Sequence, residues 1–390
     1  MLFIYFYLIS FSLIGYGLFT CKILNINLYK FGSLGILGIS FLTILSFFSS
    51  LFIKHDYLFN LSTIILGIFF FLFFFRKIKN IKKEFYNYFF IFSILAIFII
   101  VGKNHDDFPY YHFPYTSILT EYSHPIGLGQ LNNGFRNPSS IFFISSMFYL
   151  PKASYYLFHI TPAFILGFAN LLLIEKIFDR NIFKKDKFIN LLCLISFIFL
   201  NIFFYRLAEH GTDRSGMILI IICIILLFYI INNSSNIFIN ENKDNIKLFS
   251  ISLCLLVTLK PFYLIYIPLL VIFFFHKHTK EIIKELILSK IFLFCFLLIF
   301  FSTFYTFINS GCIIYPATFT CFEKLPWSLP IELIEGVRIW FELWAKGGAT
   351  PNFVVDDQVN YINNFNWFTN WIEVYFFNKV SDFILGLLIL

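Results

Sequence analysis

Apolar stretches of about 20 residues recur along most of this 390-residue chain. A helix of that length is long enough to cross the hydrocarbon core of a bilayer. Only 13% of the residues are charged, whereas a soluble domain carries about 25%. The sequence therefore excludes a soluble globular protein and predicts an all-α, polytopic transmembrane helical bundle.

The apolar stretches predict about 10–11 spans. They are expected near residues 2–20, 33–53, 57–75, 86–102, 154–174, 188–205, 216–232, 247–259, 262–275 and 290–308. A further span begins near residue 382 and is expected to be cut off at residue 390. Residues 1–102 then form N-terminal transmembrane helices, 154–308 form a transmembrane core, and 382–390 start a truncated span. The first span lacks the basic start and the cleavage site of an export signal, so we expect it to be retained.

Basic residues lie mainly in the short loops on one side of these spans. They are Lys22, Lys30, Arg76, Lys77, Lys79, Lys82, Lys83, Lys176, Arg180, Lys184, Lys185, Lys187, Lys243, Lys247, Lys277, Lys280, Lys284 and Lys290. The positive-inside rule places the N-terminus outside, together with two long extracytoplasmic loops at 103–153 and 309–381. Membrane topology therefore explains the net charge of +7, and we expect no nucleic-acid partner.

Ionisable residues are almost absent from the hydrophobic stretches, where only His159 and Lys260 occur. Ion-coupled carriers place such groups inside the bundle, and this chain offers no relay of that kind. We expect His159 to pack near a helix end. Lys260-Pro261 separates two short spans, which form either one kinked helix or two half-length helices meeting at a polar cavity. The second arrangement is preferred because it keeps the later basic loops inside.

The first outer loop gathers acidic, histidine and tyrosine side chains. They are His105, Asp106, Asp107, Tyr110, Tyr111, His112, Glu121, His124 and Arg136. Three interpretations compete: a general base with aromatic walls for a sugar, a divalent-metal site made by His105, an Asp and His112, or a solvated turn. The turn would be extended before Pro109 and Pro114. Residues 136–140 predict a turn followed by a Ser cap.

The second outer loop holds all five Trp residues, which indicate either an aromatic belt at the membrane interface or a surface for sugar stacking. Residues 329–346 predict a helix entered through Ser328 and Pro330. Its narrow polar stripe comprises Glu332, Glu335, Arg338, Glu342 and Lys346. Cys312 and Cys321 lie in the same loop, where an oxidising exterior permits a disulfide bridge, and two free thiols are the alternative.

External cations are candidate ligands of a lipid phosphate, because Arg binds phosphate bidentately. The candidates are Arg136, Arg206, Arg214, Arg338 and, at the helix break, Lys260. Salt bridges with Asp213 or Glu335 are the alternative role of the arginines. An uncompensated Lys260 would be costly in the membrane, which favours a phosphate partner or a hydrated cavity.

Several short motifs within residues 85–350 carry a family resemblance. They are DFPYYH at 107–112, GLGQLNNGFRNPSS at 127–140, NSGCIIYP at 309–316, LPW at 325–327 and WAK at 344–346. Together they resemble a group of multi-pass bacterial membrane proteins that is similar to the GT-C glycosyltransferase superfamily. This chain differs from many GT-C members in having three or so spans before its acidic loop.

The resemblance implies transfer of a sugar from a polyprenyl-phosphate donor to a cell-surface glycan or lipid acceptor, outside the cytoplasmic membrane of a bacterium. It implies Asp107 as the catalytic base, with Asp106 as the alternative. The substrate-binding residues that we expect are His105, Tyr111, His112, Arg136, Asn137, Arg214, Lys260, Tyr315 and Arg338. No cofactor is required, although a divalent cation is possible. A surface-polysaccharide polymerase or ligase, or a lipid or polysaccharide transporter without catalysis, is the alternative function.

Overall fold

The computed structural model describes residues 1–100, 107–178, 187–203, 211–232, 240–275, 279–350, 353–381 and 384–385. It confirms an all-α chain apart from one pair of two-residue strands. Two compact units form. Unit 1 comprises Met1–Ile126 and Asn137–Tyr305, and unit 2 comprises Gly127–Arg136 and Thr306–Leu390.

Twelve α-helices of the described residues begin in unit 1. They are α1 (Leu2–Leu24), α2 (Phe31–Ser50), α3 (Tyr57–Phe74), α4 (Ile81–Leu95), α5 (Phe113–Glu121), α6 (Ser140–Ser146), α7 (Thr161–Ile177), α8 (Lys187–Phe203), α9 (Thr212–Asn232), α10 (Asn240–Leu259), α11 (Thr279–Ile287) and α12 (Lys290–Ser310). Short 3-10 turns and one π-helical turn lie between them.

Six helices within the described residues are long and apolar enough to cross a membrane. They are Leu2–Leu24, Phe31–Ser50, Tyr57–Lys77, Tyr155–Ile177, Thr212–Asn232 and Lys290–Ser310. The chain is therefore a multi-pass membrane protein. Two further predicted spans are shorter apolar helices, Lys187–Ile202 and Pro261–Phe273. The expected span near 382 lies almost wholly outside the described residues.

The predicted span at 86–102 begins earlier and ends earlier than expected. Its α-helix, α4, starts at Ile81 and ends at Leu95, and a 3-10 turn over Ala96–Ile99 follows. The early start has a physical reason, because the Glu84 carboxylate is buried and accepts a 2.9 Å hydrogen bond from the Phe31 backbone N–H. A paired carboxylate can thus be held within the first turn of a largely apolar helix.

Basic side chains gather at one end of unit 1, as the sequence predicts. Lys30 lies 3.5 Å from Glu84, and Lys176 lies 3.9 Å from the ring centroid of Tyr229. The opposite end is tied by backbone bonds, from His55 N–H to the Leu119 carbonyl at 2.8 Å and from His124 N–H to the Ser50 carbonyl at 2.7 Å. Successive helices therefore alternate in direction between the two ends.

The chain reverses direction at Lys260. Helix α10 ends at Leu259, and a 3-10 segment over Pro261–Phe275 returns beside it, with the Phe273 ring 5.6 Å from that of Phe249. A two-segment arrangement is thus present, but the first segment is not half-length, because α10 has 20 residues.

The additional residues of α10 are polar and lie at the basic end of unit 1. There the Asp244 carboxylate accepts a 3.1 Å bond from the Asn27 N–H, and Lys247 donates to the Asn25 carbonyl at 3.0 Å. These partners allow α10 to include polar residues that hydropathy alone would exclude from the predicted span.

Close backbone packing joins the first two helices. A Cβ atom at Gly17 would lie 1.9 Å from the Leu34 carbonyl oxygen, and one at Gly38 would lie 1.8 Å from that of Leu13. Small residues at such contacts are typical of packed membrane helices. A side chain at either glycine would therefore force α1 and α2 apart.

Unit 2 holds the helices α13 (Ile331–Ala345), α14 (Gln358–Ile362) and α15 (Phe368–Trp371), a π-helical segment over Ile372–Val380, and the strands β1 (Ala349–Thr350) and β2 (Phe353–Val354). The predicted helix at 329–346 is confirmed, but Ser328 does not cap it. Its hydroxyl donates instead to the Phe322 carbonyl. Cys312 and Cys321 form a disulfide, which is the bridged one of the two predicted alternatives.

Candidate functional site

A polar cavity of about 120 Å³ lies in unit 1. It contains two carboxylates, two basic side chains and two aromatic side chains from three separate parts of the chain. The lining residues are Asp107, Tyr111, His112, Gly211, Thr212, Asp213, Arg214 and Lys260. Five of them are predicted site residues that come from three distant segments of the sequence: Asp107, Tyr111, His112, Arg214 and Lys260.

A short helical segment positions the first three of these side chains. Residues Phe108–His112 form a π-helical turn that continues directly into α5. Pro109 and Pro114 occupy the first or second position of these two segments, where the missing N–H would have had no partner in any case. The extended conformation expected for the turn, one of the three alternatives, is therefore wrong, because both prolines start helical structure instead of interrupting it.

The helical turn brings Tyr111 back onto Asp107, four residues earlier. The Tyr111 hydroxyl donates a hydrogen bond to Asp107 Oδ2 at 3.2 Å. Burial raises the pKa of Tyr111, and the nearby Asp107 carboxylate raises it further. Tyr111 consequently remains a protonated donor and holds the carboxylate that the sequence predicts as a general base.

His112 lies deeper than its neighbours. Its side chain is buried, and its ring centroid is 5.0 Å from that of Phe142 and 4.3 Å from that of Tyr111. Phe142 belongs to α6, whose predicted cap is confirmed because the Ser139 hydroxyl accepts the Ile141 N–H at 3.3 Å. The cap thus fixes the wall against which the His112 ring packs.

The N-terminus of α9 forms a second side of the cavity. The helix begins at Thr212 and runs for 21 residues, so the positive end of its dipole and its first N–H groups lie beside the cavity. The Tyr263 hydroxyl donates to the Asp213 carbonyl at 2.9 Å. A Cβ atom at Gly216 would lie 2.2 Å from the Tyr263 ring. This close contact fixes the start of α9 against the segment that follows Lys260.

Lys260 and Asp213 form an ion pair at this site. Their side chains are 39% and 60% exposed, so both are accessible to a solute in the cavity. Lys260 lies where α10 ends and the chain turns back, which confirms that the helix break adjoins a polar cavity. With Arg214 beside them, the cavity combines two cations and a helix N-terminus with the Asp107 carboxylate.

Two predicted ligands lie together in unit 2 instead. The Arg136 guanidinium is buried and donates to the Gly129 carbonyl at 3.1 Å, to Asn133 Oδ1 at 2.8 Å and to the Tyr315 hydroxyl at 2.9 Å. Burial raises the pKa of Tyr315, which keeps its hydroxyl protonated. Arg136 and Tyr315 therefore hold two chain segments of unit 2 together.

Arg338 is exposed on α13 and pairs with Glu335 at 2.6 Å and with Glu342 at 3.3 Å. The predicted polar stripe of that helix is thus a chain of ion pairs, which Lys346 extends by its 2.7 Å contact with Glu342. On the same helix, the rings of Trp340 and Trp344 lie 5.3 Å apart, and both are partly exposed.

Four predicted residues remain. Asn137 precedes the Ser139 cap in unit 1 and does not line the cavity. His105, Asp106 and Arg206 lie outside the described residues. Within the described ranges, no three His, Cys, Asp or Glu side chains form a group that could hold a metal ion.

The sequence did not identify Thr212 as a residue that lines the cavity, nor Asp213 as the ion-pair partner of Lys260. The available signal was the run GTDRSG at 211–216, which places an adjacent acid and base at the start of an apolar stretch. That position is the N-terminus of a membrane helix, where polar groups lie at the edge of the hydrocarbon layer.

Residues 1–390 match the family described as "Domain of unknown function (DUF8201)", so the chain belongs to that family over its whole length. No curated protein and no solved structure shows significant similarity to the chain.

Proposed function

We propose that this DUF8201 membrane protein is a glycosyltransferase of the GT-C type that uses a polyprenyl-phosphate sugar as donor. One observation carries the proposal: Asp107, Arg214 and Lys260 line the same cavity, beside the N-terminus of α9. A carboxylate for a hydroxyl proton and cations for a leaving phosphate are the two groups that such a transfer needs. The acceptor would be a cell-surface glycan or lipid.

The reaction begins when the acceptor hydroxyl lies against Asp107. The carboxylate takes the hydroxyl proton while the oxygen attacks the anomeric carbon, and the configuration at that carbon inverts. The bond from the anomeric carbon to the phosphate oxygen breaks, and the electron pair leaves with the lipid phosphate. The hydrogen bond from Tyr111 orients Asp107, and the proton later passes from Asp107 to solvent.

Lys260 and Arg214 would bind the phosphate before and after transfer. Arg offers a planar, bidentate donor and Lys a compact positive charge, so together they suit both the phosphodiester of the donor and the phosphate monoester that leaves. The first N–H groups of α9 add donors that need no rearrangement. Arg136 and Arg338 are not part of this proposal because their guanidinium groups bind partners within unit 2.

Replacing Lys260 with Gln is expected to weaken binding of a prenyl-phosphate sugar about 10- to 100-fold, because a charge-assisted partner of the phosphate is lost. The measurement is donor binding to the purified protein in lipid nanodiscs. Lys152→Gln is the matched control, since Lys152 is exposed and does not line the cavity. Equal donor affinity in Lys260→Gln and the wild type would refute the assignment of the phosphate to this cavity.

A further inference from the structure

We infer that Asp213 competes with the phosphate of the donor and of the lipid product for Lys260. Its carboxylate binds Lys260 while the site is empty and must release Lys260 when the phosphodiester of the donor binds or the phosphate monoester of the product forms. The inference rests on the proposed function, and it adds a residue that sets the affinity for donor and product. Asp213 would be a positioning residue, because it acts on the phosphate through Lys260.

The first support is the geometry of the cavity. Asp213 and Lys260 are in direct contact, and both line the same small cavity as Asp107 and Arg214. A cavity of about 120 Å³ leaves little room for a phosphate that does not approach this ion pair. The Asp213 carboxylate therefore occupies the side of Lys260 that an incoming anion would need.

Exposure supplies the second support. The Asp213 side chain is 60% exposed and that of Lys260 is 39% exposed. Exposed ion pairs contribute little to stability, because water and salt screen them. Separation of the pair therefore costs little free energy. The singly charged phosphodiester of the donor can replace Asp213 on Lys260, and the more highly charged phosphate monoester of the product can do so more strongly.

The backbone of Asp213 does not have to move in this exchange. Its carbonyl is held by the Tyr263 hydroxyl at 2.9 Å, and the Tyr263 ring packs against Gly216. Only the carboxylate needs to swing away from Lys260. After transfer, the same carboxylate can return to Lys260 and displace the leaving phosphate, which would speed product release.

The charges that face Asp213 come from each element of the cavity. Lys260 and Arg214 attract its carboxylate, and Asp107 repels it. Changing Asp213 to Asn removes one negative charge that would lie only a few ångströms from a phosphate bound to Lys260. Coulomb attraction at such distances predicts that phosphate binds about three- to tenfold more tightly.

The test measures the affinity of Asp213→Asn for two probes, inorganic phosphate and a short-chain prenyl phosphate, with the full chain in nanodiscs. Tighter binding of either probe supports the inference. If both probes bind more tightly, the phosphate group alone is the ligand that competes with Asp213. If only the prenyl phosphate binds more tightly, the competing ligand is a lipid headgroup. Unchanged or weaker binding of both probes would overturn it. Glu335→Gln is the matched control, because it breaks a comparable exposed pair with Arg338 on α13.

A double variant separates competition from a structural effect. If Asp213 acts through Lys260, Asp213→Asn combined with Lys260→Gln should bind phosphate no more tightly than Lys260→Gln alone. A gain of the same size in both backgrounds would contradict the mechanism. Should Asp213→Asn fail to fold, Asp213→Ala removes the same charge and is expected to give the same gain.

Kinetics provide a signature that a merely structural residue would not produce. In Asp213→Asn we expect both kcat and the KM for donor to fall, because the lipid phosphate binds more tightly and leaves more slowly. Failure of the inference can be distinguished from failure of the proposed function. If an Asp107 variant loses sugar transfer while Asp213→Asn binds phosphate as the wild type does, the proposed function stands and only the role of Asp213 is refuted.

Discussion

Replacing Asp107 with Asn is expected to lower the rate of sugar transfer by about 10²–10⁴-fold while donor binding is retained. The amide is nearly isosteric with the carboxylate and can still contact Tyr111, but it cannot accept a proton from the acceptor hydroxyl. Because Asp107 lies at the start of a helical turn that does not depend on its charge, we expect the variant to fold. The measurement is single-turnover transfer from a prenyl-phosphate sugar by the purified full-length protein.

Glu121→Gln is the matched control for this experiment. Glu121 is the last residue of α5, is exposed and does not line the cavity, so its loss should leave transfer unchanged. Transfer at the wild-type rate by Asp107→Asn would exclude Asp107 as the base, and Asp106 would be tested next. Wild-type glycan assembly in a strain in which both acids are replaced would favour a transporter over an enzyme.

The second prediction is a loss of stability at acidic pH, caused by two buried histidines outside the membrane helices. His55 hydrogen-bonds through Nε2 to Ser49 at 2.9 Å and through Nδ1 to Ser146 at 2.6 Å. His124 bonds through Nε2 to the Tyr115 hydroxyl at 2.7 Å. Burial lowers the pKa of each imidazole to about 3. Both are therefore neutral in the folded protein at neutral pH.

Acidification should destabilise the protein through these two groups. Their folded pKa lies below the unfolded value of about 6.5, so the unfolded chain binds more protons as the pH falls. Stability is fully present above about pH 6.5 and is lost progressively toward the folded pKa. At pH 5 we expect a loss of about 2 kcal/mol for each histidine.

Thermal unfolding in nanodiscs between pH 7.5 and pH 5 measures this loss as a fall in Tm. His124→Gln should be less stable than the wild type at neutral pH but should show a smaller fall on acidification, since one of the two titrating groups is gone. An equally steep fall in His124→Gln and the wild type would show that other groups control the acid response.

The helical character of the protein could be predicted because it depends on local signals. Long apolar stretches locate α1, α2, α3, α9 and α12, and the Ser139 cap follows from its position before an apolar run. The boundaries of α4 and α10 could not be found in this way. Both helices begin in polar sequence, and backbone N–H groups of distant segments make those starts favourable by donating to the buried carboxylates of Glu84 and Asp244.

The cavity was predictable only in part, for a similar reason. The sequence singled out Asp107, Arg214 and Lys260 as chemically unusual residues, but it could not tell that they meet. It also gave Arg136 the same weight as Arg214, because both are rare arginines that the sequence predicts to lie outside the membrane. What separates the two is tertiary: Arg136 is satisfied by Asn133 and Tyr315, whereas Arg214 lines the cavity.

The hydrogen bond between Arg136 and Tyr315 has a consequence for biosynthesis. Unit 2 is discontinuous, since Gly127–Arg136 belongs with residues that begin at Thr306. The early segment leaves the ribosome long before its partners, and the candidate membrane helices Tyr155–Ile177, Thr212–Asn232 and Lys290–Ser310 are synthesised in the interval. Until then, the Arg136 guanidinium can bind Gly129 and Asn133 of its own segment but lacks the Tyr315 hydroxyl. Unit 2 can therefore be completed only after those helices have been made.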